Sequence, residues 1–216
     1  MMANSTLIDT AYDYVNTQIR TGEFMPGSLL SENELSETLN MSRTPIRAAI
    51  SRLEHEGLLV TLKNRGVLVK EISMKEVIDT MEVLYLFQLQ AIALLKDGVV
   101  EPDLKNLQEH LNRSILAEQN NDYTQYLVSS MKFSECLLNV MNNGVIAKIV
   151  DASVKQMILF ATINFKLTPH EPHYSANRLN QSIYDTILAG DYDRFREIAN
   201  QSYAHNRQRM LRMSRL

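Results

Sequence analysis

A chain of 216 residues, 45% of them hydrophobic and 22% charged, holds enough apolar side chains for one large core or two ordinary ones. No apolar run approaches the roughly 18 to 20 residues of a bilayer span, and the opening MMANSTLIDT lacks the basic start and apolar middle of a secretory signal, so a cytoplasmic protein with no membrane partner is expected. One cysteine, Cys136, excludes an intrachain disulfide and a thiolate zinc cluster, and a net charge of −3 excludes a chain that binds polyanions over its whole surface.

The first segment spaces Ile8, Ala11, Val15 and Ile19 at helical intervals and stops at Gly22. After a turn at MPGS, Ser31 and Glu34 stand at capping-box spacing, and Leu35 and Leu39 give that second helix its buried stripe. A third helix begins at Ser42, whose hydroxyl can cap it, and ends near Gly57. Ile46, Ala49, Ile50 and Leu53 fill one of its sides, while Arg43 and Arg47 share the other. The period then changes to that of strands: LLVTL and VLVK are joined by Lys63, Asn64, Arg65 and Gly66 into a hairpin with a basic tip. Three helices and a β-hairpin in this order predict a winged helix-turn-helix over residues 1–72.

From Ser73 onward the pattern is wholly helical, starting at a second capping-box sequence, SMKE. Six helices are expected, near 74–97, 101–119, 122–141, 144–166, 174–189 and 191–214. Breaks fall at Asp97–Gly98, Asn120–Asn121, MNNG, LTPHEPH and Gly190–Asp191. Each helix carries an apolar stripe, so residues 73–216 predict an all-α antiparallel bundle with its own core, and the chain as a whole is mainly α.

The local charge differs from the average. Between Met41 and Lys70 stand Arg43, Arg47, Arg52, Lys63, Arg65 and Lys70 against Glu54 and Glu56 only. An arginine fork near the start of a recognition helix can bond guanine O6 and N7 together. Ser42 and Thr44, with the helix-start amides, can hold phosphates. Arg65, beside Gly66, suits a neighbouring minor groove. The preceding helix, with Glu32, Glu34 and Glu37, is expected to stand away from the phosphates.

The run GEFMPGSLLSENELSETLNMSRTPIRAAISRLEHEGLL, followed by NRGVLV, resembles the DNA-binding domain of GntR-type bacterial transcription regulators, and the helical remainder resembles the ligand-sensing domain of their FadR-like (FCD) subgroup. The resemblance implies a homodimer on a short palindromic double-stranded operator, controlled by a small molecule in the bundle. It assigns DNA contacts to Arg43, Thr44, Arg47, Arg65 and Gly66. Leu29 departs from a common basic residue, Asn33 from an arginine and Ala48 from a glutamate.

Relatives of that subgroup commonly hold a divalent metal at positions that here are Ser130, Ser134, Asn180 and Ser202. Neutral hydroxyls and an amide are poor ligands for such a cation, so neither a metal nor another cofactor is expected. Leu84 and Gln88 replace an arginine and a glutamate on the inward face of the first bundle helix, and His205 lies one turn past Ser202. A pocket so neutralised would take an apolar or neutral effector, or would be closed. His170 and His173 sit in a proline-punctuated loop, while His55 and His110 read as solvated. No Gly-rich phosphate loop, nucleophile elbow or paired zinc motif points to an enzyme. The expected function is an effector-controlled transcription regulator, a repressor. The alternative is a DNA-binding regulator whose bundle only dimerises or docks a protein.

Overall fold

The computed structural model describes residues 6–63, 65–170 and 173–213. Helix α1 (Leu7–Arg20) starts where Thr6 Oγ1 accepts from the Asp9 amide at 3.2 Å and Asp9 Oδ2 accepts from the Thr6 amide at 3.3 Å, a reciprocal cap. It buries Ala11, Val15 and Ile19. Strand β1 (Leu29–Leu30) follows, then α2 (Glu32–Thr38), α3 (Arg43–His55), β2 (Leu59–Leu62) and β3 (Gly66–Val69). Helix α3 buries Pro45, Ile46, Ala49, Ile50 and Leu53. On the outside of the α1–α3 joint, the Arg52 guanidinium lies 3.7 Å from the Tyr12 ring centroid and pairs with Asp9 and Glu56, each at 3.5 Å.

The sheet has three strands in the order β1-β3-β2, all antiparallel, whereas the sequence predicted only the hairpin. Leu29 and Leu30 pair with Leu68 and Val67. Two residues between a turn and a helix are too few to show a period of two, so β1 left no signal. The third strand also explains Gly66, whose φ is +101° and whose added Cβ would stand 2.9 Å from the Leu30 carbonyl oxygen. A side chain there would strike backbone that cannot move without breaking the β1–β3 pairing.

The bundle comprises α4 (Met74–Lys96), α5 (Leu104–Gln119), α6 (Tyr123–Leu138) with a 3₁₀ turn at Asn139–Met141, α7 (Gly144–Leu167), α8 (Ala176–Leu188) and α9 (Tyr192–Met213). Its main core joins Ile92 and Leu95 of α4, Leu107 and Leu111 of α5, Phe133 and Leu137 of α6, Ile183 and Ile187 of α8, and Phe195 of α9. A second cluster joins Ala91, Leu138, Val150 and Val154. Asp103 and Asp122 cap α5 and α6, accepting from the Asn106 amide at 3.1 Å and the Gln125 amide at 2.9 Å. Ser42 and Ser73 occupy N-cap positions without a side-chain cap bond, contrary to the capping roles read from sequence.

The chain divides into two compact units: one runs up to Ile72 and includes Thr162–Leu167, and the other consists of Ser73–Ala161 and the residues from Thr168 onward. The sequence reading also missed the character of α4. Its 23 residues include an 18-residue window of mean hydropathy 1.4, long and apolar enough to cross a membrane by length and composition. In the structure α4 packs as a bundle helix. Tyr85 donates to Asn200 Oδ1 at 2.7 Å and stacks on Tyr203 at 4.2 Å between ring centroids, and Lys96 pairs with Asp193 at 2.5 Å.

Candidate functional site

The N-terminal unit concentrates its exposed polar groups on α3. Pro45 in the first turn and Ile46, Ala49 and Ile50 behind it are buried, which fixes the opposite face outward. Ser42, Arg43, Thr44 and Arg47 are all exposed on that outward side. With no side-chain cap bond, the Ser42 hydroxyl leaves the first amides of α3 open to an anion. At the hairpin, Lys63 and Arg65 are exposed and the Arg65 amide donates to the Leu62 carbonyl at 3.0 Å; Asn64 between them lies outside the described residues. Gly66 is part of the sheet, its conformation required by Leu30.

Two features of this face were not read from the sequence. Glu32 of α2 meets the recognition helix: its Oε2 accepts from Arg47 Nε at 2.8 Å, with the arginine side chain 63% exposed and the carboxylate 26%. Arg52, counted in the basic patch, is engaged by Tyr12, Asp9 and Glu56 and belongs to the α1–α3 joint. Glu32, Tyr12 and Asp9 come from segments distant in sequence, about which helical periodicity carries no information; only Glu56, four residues past Arg52, stands at helical spacing.

In the bundle, α6 and α8 run side by side in the same direction. The Ala176 amide donates to Tyr126 Oη at 2.8 Å, fixing their register at one end, while Phe133 and Leu137 meet Ile183 and Ile187 farther on. Ser130 lies four residues past Tyr126 and Asn180 four past Ala176, each one turn beyond the bond that joins the two helices, and both are buried. Neither Ser130 Oγ nor Asn180 Nδ2 has a hydrogen-bond partner. Ser130 is near enough to the Tyr126 phenol to favour its ionised form slightly, but does not reach bonding geometry with it. Burial dominates there and raises the Tyr126 pKa; in the neighbouring Tyr123 it pushes the value up to about 12.

One turn away, Asn177 is fully engaged. Its Nδ2 donates to Glu118 Oε2 at 2.6 Å and to the Ser114 carbonyl at 3.2 Å, and its Oδ1 accepts from Ser114 Oγ at 2.7 Å. This network, unforeseen from sequence, shows how the fold satisfies a buried amide when the amide is structural.

The other predicted pocket residues are half-buried or exposed. Leu84 packs on the second cluster, Gln88 and Ser134 are half-buried, and Ser202 accepts from Asn206 Nδ2 at 3.4 Å. His205 is exposed and does not line the bundle interior, because α9 turns its Phe195 and Ala199 inward and leaves position 205 outside. His110 is half-buried rather than solvated and lines a cleft of about 480 Å³ with Glu101, Asp103, Lys132, Glu135 and Cys136. That cleft shares no residue with the Ser130–Asn180 seam. Burial lowers the His110 pKa and pushes the Cys136 thiol up to about 11, which leaves the cysteine a weak nucleophile.

The metal of FCD relatives does not fit here. Ser130 offers an unionised hydroxyl, and the orphan atom of Asn180 is an amide nitrogen with two protons, which repels a cation. Among the described residues no three His, Cys, Asp or Glu side chains converge on a point.

An exposed arginine-bearing helix beside a three-stranded wing, followed by a separate helical bundle, defines a DNA-binding transcription regulator. More narrowly, the chain belongs to the gntR family of bacterial regulatory proteins: residues 7–69 match that family and residues 79–205 match the FCD domain. It is 27% identical over 153 residues to the HTH-type transcriptional regulator YdhC of Bacillus subtilis (strain 168), covering 70% of this chain and 68% of that one. With the gluconate operon transcriptional repressor of the same organism it shares 22% over 182 residues, 83% of this chain and 74% of the repressor. A GntR transcriptional regulator from Rhodococcus sp. RHA1 has the same fold, with a TM-score of 0.77 at 19% identity over 94% of this chain and 97% of that one.

Proposed function

We propose that the protein is a repressor that binds a palindromic operator as a homodimer and is controlled by a neutral small molecule bound between α6 and α8. The observation that carries this reading is the pair of buried, unpartnered polar atoms, Ser130 Oγ and Asn180 Nδ2, each one turn past the Tyr126–Ala176 bond that joins α6 to α8. Leaving such groups unsatisfied costs about 1–3 kcal/mol each, and an acceptor oxygen on a ligand would remove that cost. Every buried polar residue among those described is neutral: Ser114, Ser129, Ser130, Ser153, Asn177, Asn180 and Thr186. A buried carboxylate would find no countercharge among them, so the ligand is uncharged and carries a carbonyl or hydroxyl oxygen.

On DNA, Arg43 and Arg47 read base edges in the major groove, Ser42 and Thr44 hold phosphates, and Arg65 reaches toward the neighbouring minor groove. Repression as the direction of control draws on the gluconate operon repressor. A ligand that prefers one state of the bundle shifts the population of dimers able to engage both half-sites. The test is native mass spectrometry of the purified protein, followed by operator binding with and without any bound molecule. The expected result is a neutral adduct whose removal changes operator affinity and which Asn180→Leu no longer retains. If no neutral compound binds, or if Asn180→Leu retains it, the effector reading fails; a protein that binds its operator without any ligand response has a bundle that only joins copies or docks a partner.

A further inference from the structure

Past Glu197 the sequence has no acidic residue through Leu216, yet it holds Arg207, Arg209, Arg212 and Arg215. The whole chain carries a net charge of −3, so α9 ends in the opposite sign. Phe195, Ala199 and Met210 turn inward, which puts His205, Arg209 and Arg212, at intervals of four and three, on one outward side. All three are exposed, with Gln208 exposed beside them. Neither Arg209 nor Arg212 has an ion pair among the described residues. Elsewhere the bundle answers surface cations one turn away: Arg113 with Glu109, Lys155 with Asp151 and, on α9 itself, Arg194 with Glu197. A helix macrodipole favours a cation in the last turn, which accounts for Arg212 but not for Arg209, one turn earlier.

Helix α9 runs antiparallel to α4, since Tyr85 stacks on Tyr203 while Lys96, farther along α4, pairs with Asp193. The same register brings Arg209 and Arg212 level with the first turns of α4. Residues 70–73 join Val69, at the end of the wing, to Met74, a reach of at most about 17 Å. The cationic side of α9 is thereby tethered to the strand that begins at Gly66. Burial raises the Tyr123 pKa and the charge of Arg209 opposes that rise, which puts the start of α6 at this end of the bundle too. Asp79, Asp122 and Glu118 at this end are engaged: the first pairs with Lys75, the second accepts from the Gln125 amide at 2.9 Å and the third from Asn177 at 2.6 Å.

We propose that the outer side of α9 at His205, Arg209 and Arg212 is a second DNA contact, holding phosphates of the duplex that flanks the half-site read by α3. Guanidinium forks match phosphate oxygens, and the polyanion within reach of the tether is the one that the N-terminal unit already binds. From His205 to Arg212 the stripe runs about 10 Å, the axial length of about three phosphates of one strand. This rests on the DNA-binding reading of the N-terminal unit and adds a contact made by the bundle.

The test is fluorescence anisotropy of the full chain on one operator, selected from randomised duplexes, set in the centre of a duplex of about 20 base pairs and of one of about 40, across a series of NaCl concentrations. Wild type binds the longer duplex about tenfold more tightly, with a salt slope steeper by about 2 for each copy bound. Arg209→Gln with Arg212→Gln abolishes that advantage and leaves affinity for the short duplex within about twofold of wild type, whereas Arg209→Lys with Arg212→Lys keeps most of it, because a point charge still holds a phosphate. Arg113→Gln, on α5, leaves both affinities unchanged, and circular dichroism with thermal melting checks that each variant folds. A wild type indifferent to flank length, or a double glutamine variant that keeps the preference, overturns the contact. Binding of wild type, but not of the double glutamine variant, to phosphatidylserine vesicles without any flank effect also overturns it, in favour of a membrane surface. Arg43→Ala separates the two DNA readings: it is expected to lose base preference and keep the flank advantage, and if base preference survives, the reading of α3 fails while the α9 contact stands.

Discussion

The two units place their polar chemistry in opposite positions. In the N-terminal unit an apolar underside of α3 presses Arg43 and Arg47 into solvent, where charge is inexpensive and able to reach a polyanion. In the bundle the polar groups at the candidate site are neutral and turned inward, where each must be satisfied by a neighbour or a ligand. A binding surface for DNA can thus be built from long exposed side chains that tolerate sequence change beneath them. The seam of α6 and α8 has no such tolerance, because Asn177 and Asn180, three residues apart, differ only in whether partners happen to surround them.

The contrast can be broken most severely at the bundle core. Phe133→Ala removes a fully buried ring and is expected to destabilise the bundle by about 3–5 kcal/mol, visible in denaturant unfolding, with the transition of the N-terminal unit unchanged. Next in size, Arg43→Ala is expected to cost about 1–3 kcal/mol of operator affinity and relax base preference at one position, measured by anisotropy on matched and single-base-changed duplexes. Its melting temperature should equal that of the parent, because the side chain is exposed. The smallest effect has the opposite sign: Asn180→Leu removes an orphan donor and is expected to raise the stability of ligand-free protein by about 1 kcal/mol. The same change at Asn177 breaks three bonds and must destabilise; equal effects at the two positions would erase the distinction drawn between them.

Periodicity located the helices to within a few residues because each buries a stripe wide enough to repeat several times. Leu107 and Leu111, or Ile183 and Ile187, are visible at their spacing and are core residues in the structure. Where an element is short the same reasoning has nothing to count, and β1, with two residues between the MPGS turn and α2, gives no signal. Capping was legible only in part: Ser31 does accept from the Glu34 amide, at 3.4 Å, but Ser42 and Ser73 stand at helix starts without bonding to them. Orientation on a helix was the weaker inference in the bundle. His205 sits one turn past Ser202, yet the helix carries it outside. Long-range partners, Glu32 for Arg47 and Ser114 with Glu118 for Asn177, depend on how the chain folds back and left no trace in local pattern.

The Glu32–Arg47 bond has a bearing on discrimination. A guanidinium that already holds a carboxylate exchanges one acceptor for another when it turns to a base, so its net gain on arbitrary duplex is close to nil. Only a site offering two well-placed acceptors repays the exchange. If Arg47 and Arg43 read DNA as proposed, random duplex would meet one guanidinium already engaged, with Arg43 left to make the first grip, and the acidic neighbour would act as a filter against promiscuous binding.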